Sequence, residues 1–202
     1  MNEIISAITS RRATKKFDPS HIIPEAELSA ILEAARHAPT AFNIQNVRFL
    51  VVQDREQRRL IREAAWDQPQ IDDCSALIVM CADLKAWEKD PARYWRDAPT
   101  AVQDQYVHMI QQYYAGHEQV QRDEGFRSCG LAAYALMMTA HAHGLHTCPM
   151  DGFDFQRVKE IINLPADHEL VMFVALGKQL SAPSPRGGFL PLDEVVKRDF
   201  FS

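Results

Sequence analysis

The run ALIVMCA at residues 76–82 holds no polar side chain. Seven residues are too few for an ordinary buried helix. An apolar run this short, with no polar alternation, reads as a central strand covered on both faces. Two more strands follow the same logic, RFLVVQ (48–53) and ELVMFVALG (169–177). The chain must therefore supply helices to cover a sheet.

Those helices are legible from their boundaries. Ile4, Ile5 and Ile8 share a face of a first helix over residues 2–10. Pro24 suits the start of a second, where Leu28, Ile31, Leu32 and Ala35 follow the i, i+3, i+4, i+7 template before Pro39. Asp54 with Gln57 three residues on has the pattern of a capping box. Phe126 to His143 is expected to form a long helix rich in small residues, central or at an interface, with Gly144 as its left-handed cap. Asp154 caps a further helix carrying Val158, Ile161 and Ile162. CPMDGFD (148–154) reads as a tight turn around Gly152. Strands and helices mixed in this way predict an α+β layer arrangement, and 202 residues suit a single domain over 1–202.

Two segments stand apart. Residues 83–125 are rich in Trp, Tyr, Gln and charge and read as a helical excursion, a substrate-facing lid. Residues 180–202 form a proline-broken tail carrying Phe189, Leu190, Leu192, Val195, Val196, Phe200 and Phe201. Such a tail needs cover, either from its own core or from a second subunit, and the second subunit is the preferred reading.

Composition excludes several classes. Twenty-two cations against 27 anions leave a net charge of −5, which argues against a nucleic-acid binder. No run approaches the roughly 18 apolar residues of a membrane span, and the first residues lack the pattern of a secretory leader. The four cysteines (Cys74, Cys81, Cys129, Cys148) show neither CxxC nor framework spacing, so buried reduced thiols in a cytoplasmic protein are expected. His141, His143, His146 and Cys148 look like a metal cluster, but residues 141 and 143 point about 200° apart on a helix, and no metal is expected. No GxSxG, GxGxxG or P-loop is present.

One cation cluster interrupts this acidic chain. SRRATKKFD (10–18) carries Arg11, Arg12, Lys15 and Lys16. The two arginines could simply close the first helix against its dipole. They could equally form a phosphate site, since guanidinium forks match phosphate oxygens. Three segments favour the second reading. APTAFNIQNVRF (38–49) places the amides of Asn43 and Gln45 in a loop before a strand, suited to a heterocycle whose edge alternates C=O and N–H. CPMDGFD offers a close approach to a flat ligand, and Arg186 sits in a nearly uncharged stretch. Together they suggest a phosphorylated aromatic cofactor.

RRATKKF, APTAFNIQNVRF, GLAAYALMMTAHAHGLHTCPMDGFD and RGGFLPLDEVV, in that order, resemble the flavin-dependent nitroreductase family over nearly the whole chain. ADLKAWEKDPARYWRDAP (82–99) further resembles a cyanobacterial-type subgroup of NAD(P)H-dependent nitroreductases that also reduce quinones. The resemblance implies a central, mostly antiparallel sheet flanked by helices, in an intertwined homodimer whose tail embraces the partner. It implies FMN at the interface, NADH or NADPH as co-substrate, and small aromatic electron acceptors. No catalytic side chain is certain, because the flavin carries the chemistry.

By the same resemblance, Arg11 and Arg186 hold the FMN phosphate, Arg12 and Ala13 lie beside it, and Lys15 faces the pyrimidine edge. Phe42, Asn43 and Gln45 arrive from the partner. Gln68 and Gln70 approach the ring, and Pro149, Met150, Asp151 and Gly152 form the turn facing N5 and O4. Phe42, Tyr113, Tyr114 and Phe126 are candidates to line a substrate slot. Ala13 stands where a serine is frequent, Ser184 and Gln70 where some members have lysine, and Asn46–Val47 where a Pro–Trp pair is common. Other reactions on this scaffold (enoyl or aldehyde reduction, dehalogenation), or a flavin carrier or redox sensor without turnover, are the alternatives.

Overall fold

A computed structural model describes residues 2–201. Its centre is an antiparallel four-stranded sheet of β1 (Val47–Val52), β2 (Ala76–Asp83), β3 (His146–Met150) and β4 (His168–Gly177), in the order β1-β2-β4-β3. All eight residues of β2 are buried. Its alternation divides the seven before Asp83 between two cores. Ala76, Ile78, Met80 and Ala82 face a cluster with Leu28, Ile31, Leu136 and Ala140. Leu77, Val79 and Cys81 face one with Ile61, Phe153 and Val158.

The first cluster is roofed by α2 (Glu25–Ala35) and α6 (Glu118–Ala142). The small residues of α6 bring it close to the sheet: a Cβ added at Gly125 would stand 2.7 Å from the Ala82 Cβ. Gly125→Ala is therefore expected to destabilise the fold by about 1–3 kcal/mol through overpacking, read as a lower urea midpoint at unchanged slope. An unchanged midpoint would show that the helix can lift away freely. The second cluster is covered by α3 (Arg55–Glu63), the short α4 (Gln70–Asp73) and α7 (Phe155–Ile161).

The caps follow the residues that mark them. Asp54 Oδ1 accepts from Gln57 N at 2.8 Å, and Asp154 Oδ1 from Arg157 N at 3.0 Å. The box at Asp54 is only half formed, because the Gln57 amide donates instead to Ile161 O at 3.0 Å, tying α3 to the end of α7. Gly144 takes φ +70° after α6.

Two features differ from the sequence reading. Residues 148–150, expected to open the turn 148–154, instead end a fourth strand, His146–Met150, and ELVMFVALG is therefore β4 rather than the third strand. β3 lies at the sheet edge, where Pro149, lacking an N–H, is tolerated. Helix α6 starts at Glu118, eight residues before Phe126. Its first turns look polar, yet they bury Gln121, whose Nε2 donates to Tyr114 O at 2.7 Å and whose Oε1 accepts from Lys85 Nζ at 3.1 Å.

The excursion holds a 3-10 turn (Pro91–Trp95) and α5 (Thr100–Tyr114), around a third cluster of Ile44, Trp87, Tyr94, Ile110 and Tyr114. Helix α1 (Glu3–Ser10) buries none of its residues, and the tail with its short α8 (Leu192–Val195) lies open, Phe189 being 83% and Phe201 93% exposed. The tail does not dock on its own core. The four cysteines are buried and unpaired, and burial pushes the Cys81 and Cys129 thiols up to about 12. Among the described residues no helix is long and apolar enough to cross a membrane.

Candidate active site

Three distant parts of the chain meet at the end of α1. Segment 11–17 crosses the sheet edge: Ala13 bridges to Thr147 of β3, and Phe17 to Gln179 beyond β4. Thr14 N donates to Thr147 O at 2.9 Å, and Leu180 N to Lys16 O at 2.9 Å. This pins the cation cluster between β3 and the root of the tail. The tail then returns Arg186, whose Nη2 donates to Thr9 O at 2.9 Å and Arg11 O at 2.7 Å, while Arg12 Nη2 donates to Ser184 O. The helix-closing role that sequence alone allows for Arg11 is thus taken in part by Arg186, which puts its charge on the terminal carbonyls of α1.

Arg11 is left with a buried Nη1 that has no partner among the described residues, and the Thr14 Oγ1, three residues on, is likewise buried and unpartnered among them. Buried donors without partners cost about 1–3 kcal/mol each, so the arrangement is suited to an incoming acceptor. Arg11, Arg12, His146, Thr147 and Pro183 line a cavity of about 160 Å³ there. Ala13 and Lys15 face outward. Cys148 is buried next to them; burial raises its thiol, and Lys15 and Arg11 oppose that rise.

Beyond Met150, Asp151 is exposed and Gly152 half-buried. Gln68 Nε2 donates to Gly152 O at 2.8 Å, and the buried Gln70 donates to Gln68 Oε1 at 2.9 Å. The two glutamines and the turn therefore form one chain of hydrogen bonds. The flat group closest to Gly152 is the protein's own Trp66, whose ring carbon Cζ3 would lie 2.5 Å from a Cβ at that position. Trp66 is 74% exposed at φ +53°, and nothing in its local pattern marks it.

Phe42, Asn43 and Gln45 stand elsewhere. All three are left-handed (φ +53°, +57° and +45°), a conformation costing roughly 1–2 kcal/mol per non-glycine residue. Their strain is held by surrounding bonds: Gln45 N to Thr40 Oγ1 (3.0 Å), Asn43 Nδ2 to Tyr94 O (2.9 Å), Trp95 Nε1 to Phe42 O (3.1 Å) and Arg48 Nη1 to Gln45 O (2.8 Å). Asn43 and Gln45 line a second cavity, of about 410 Å³, that shares no residue with the first. The candidate residues of one chain thus fall into two separate sets.

The aromatic candidates also divide. Phe42, Tyr113 and Tyr114 pack together, with ring centroids 5.3 Å (Phe42–Tyr113) and 5.0 Å (Tyr113–Tyr114) apart. Tyr114 is buried within that cluster, its hydroxyl unpartnered among the described residues and its ionisation opposed by burial, so it supports Tyr113 rather than lining a surface. Phe126 leans on the main core under the Arg122 guanidinium, 4.2 Å from its ring centroid, and lines neither cavity.

The clustered histidines have separate partners: His141 with Ser10 Oγ (3.1 Å), His143 with Glu27 (3.4 Å), and His146 accepting from Gln179 N (3.3 Å). Asp83, Asp167 and His168 do converge within 4.8 Å. There the Lys89 ammonium sits 2.8 Å from Asp83 and 2.6 Å from Asp167, where a metal ion would have to be.

A family profile described as the nitroreductase family matches residues 8–178. Protein DrgA of Synechocystis sp. is 45% identical over 199 residues, covering 96% of this chain and 95% of its own. A Thermus thermophilus protein named NADH dehydrogenase is 34% identical over 210 residues, 95% and 93% of the two chains. A solved structure from Exiguobacterium sibiricum, in complex with FMN, superposes with a TM-score of 0.88 at 28% identity, covering 98% of this chain and 97% of that one.

Proposed function

The chain belongs to the nitroreductase family, and from that premise we propose that it is a cytoplasmic FMN-dependent oxidoreductase that passes two electrons from NADH or NADPH to nitroaromatic or quinone-type acceptors. The observation that carries the reading is the meeting of Arg11, Arg12 and Arg186 at the end of α1, with Arg11 Nη1 buried and unpartnered. A phosphate monoester is the acceptor this set of donors suits, and FMN carries one. When bound, FMN supplies the hydride chemistry, and the protein supplies orientation and electrostatics.

In this reading residues 1–202 form one FMN-binding domain per subunit, and the two half-sites are completed across a homodimer. Arg11, Arg12 and Arg186 hold the phosphate, with Ala13 beside them. Lys15 keeps a positive charge at the pyrimidine edge, which lowers the cost of negative charge developing there. Gln68, Gln70 and the Pro149–Gly152 stretch fix the other edge, and Asn43 and Gln45 come from the partner with Phe42 and Tyr113 behind them. Support for the dimer comes from apolar surface that one chain leaves open: Ile4, Ile5 and Ile8 of α1, Leu131 and Tyr134 of α6, and the tail.

Freshly purified protein is expected to show flavin absorption. It should bleach with NADH or NADPH without oxygen and return on adding a quinone or nitroarene. Flavin that never bleaches would replace the enzyme with a carrier or sensor, and protein that takes up no FMN would refute the reading. Arg11→Ala is expected to weaken FMN binding by roughly 100-fold, the value of about 3 kcal/mol for a charge-assisted contact. Full flavin occupancy of that variant after dialysis would remove Arg11 from the phosphate site.

A further inference from the structure

Resting on that flavin-enzyme reading, we propose that the cavity beside Asn43 and Gln45 is an anion subsite that takes the 2′-phosphate of NADPH. Its walls include Arg48, Arg93 and Arg96 against a single carboxylate, Asp97. These three guanidinium groups are not equivalent. Arg48 is spent: it bonds Gln45 O, Val47 O (3.0 Å) and Asp83 Oδ2 (2.8 Å). Asp83 and Asp167 in turn share Lys89, so these two anions and two cations balance. In the cavity wall Arg93 and Arg96 then stand against Asp97, while Asp90 and Asp83 act on Arg93 from outside that wall, in a chain of net charge −5.

Arg93 is held in place but not consumed. Its Nη2 donates to Tyr94 Oη at 2.8 Å, and its guanidinium lies 4.9 Å from that ring centroid; the rest of the fork makes no hydrogen bond among the described residues. Tyr94 Oη donates to Ala86 O at 3.0 Å, and Tyr94 O accepts from Asn43 Nδ2. One buried tyrosine thus fixes both the cation and the amide loop. Arg96 is exposed and makes no side-chain hydrogen bond or ion pair among the described residues.

A held arginine with a second, uncommitted one beside it suits a phosphate dianion better than a neutral ligand. The cavity adjoins the amides assigned to the flavin edge, and the 2′-phosphate lies at the end of NADPH far from its nicotinamide. A donor stacked on the flavin would therefore carry that group away from the ring, and the Arg93–Arg96 side of the cavity is the wall beyond those amides. The same chemistry could serve an anionic group on an acceptor, and the experiment separates the two sources.

The test compares wild type with the double variant R93Q/R96Q, scored for bound FMN and then for turnover with NADPH and NADH against neutral benzoquinone. The expected result is a fall in kcat/KM of roughly tenfold or more for NADPH, mainly through KM, with NADH unchanged within about twofold. Adenosine 2′-phosphate should inhibit wild type competitively and lose potency to the same degree in the variant, while adenosine 5′-phosphate discriminates little. A loss equal for both donors but confined to carboxylated nitroarenes would keep the anion subsite and overturn its assignment to the donor. No change, or an equal loss with every donor and acceptor, overturns the subsite. Titration of the purified protein with adenosine 2′-phosphate by calorimetry reads the pocket without turnover, so failure of the flavin reading would be seen separately in the absorption spectrum.

Discussion

A chain ending at Leu180 is expected to lose flavin and dimerisation together. The truncation leaves the fold's own core intact, because the Leu180 N to Lys16 O bond and the Phe17–Gln179 bridge remain. It removes Arg186 and with it the two bonds that close α1, as well as the Ser184 carbonyl that Arg12 uses. It also removes apolar residues that no part of the chain covers, such as Leu192 at 75% and Phe200 at 76% exposed. Burial of such side chains is worth about 1.5–3 kcal/mol each, which a partner subunit would recover. Light scattering with flavin absorbance on the same elution peak reads both properties. A flavin-loaded dimer from the truncated chain would refute the wrapping tail. Arg186→Ala in the full chain separates the two effects, since it should weaken FMN binding and leave the dimer in place.

Lys89→Met is expected to cost about 2–3 kcal/mol of stability, toward the low end for a broken buried ion pair because the lysine is partly exposed. Asp83 is almost fully buried at the end of β2 and accepts from Lys89 Nζ, Arg48 Nη2 and Lys85 N (3.1 Å). Without the ammonium, Asp83 keeps Arg48 with His168 3.8 Å away, and Asp167 keeps only His168. The pH dependence should change with it. Lys89 first and His168 second hold the Asp167 carboxyl down to about 2, from an ordinary value of 3.8. A depressed carboxyl contributes stability that is present above its unfolded value and lost as pH falls through its folded one. Wild type should therefore lose stability between about pH 4 and 2, and the variant should lose less over that window. Urea melts at a series of pH values give both quantities, and coincident curves would mean that Lys89 is replaceable by solvent.

The sheet and its covering were legible wherever one residue type decides the local structure. ALIVMCA is short enough to read as a central strand, and Asp54, Asp154 and Gly144 mark helix boundaries by chemistry that acts within a few residues. β3 was hidden because HTCPM contains a proline and takes its strand character from pairing with β4. The first turns of α6 were hidden because Gln121 reads as a surface residue until Tyr114 O and Lys85 are placed around it. At the site, the cations of segment 10–18 declared themselves by clustering, and Arg186 by its isolation, although only the fold shows that it lies on Arg11. Tyr114 and Phe126 were grouped with Phe42 by type alone. Burial separates them, and burial depends on Trp87, Tyr94 and the main core far along the chain.

The strand order β1-β2-β4-β3 has a consequence for how the protein is made. β2 finds β1 as soon as both have left the ribosome, but its other edge must wait for β4, about 85 residues later. At about 5–20 residues per second that interval is roughly 4 to 17 seconds. Throughout it the nascent chain carries an apolar strand with one edge unpaired and the long helix α6 without its full floor. An edge of that kind is a template for pairing with other chains. Yield should therefore fall as elongation outpaces the arrival of chaperones, and a fully synthesised chain should refold more cleanly than one arrested between β2 and β4.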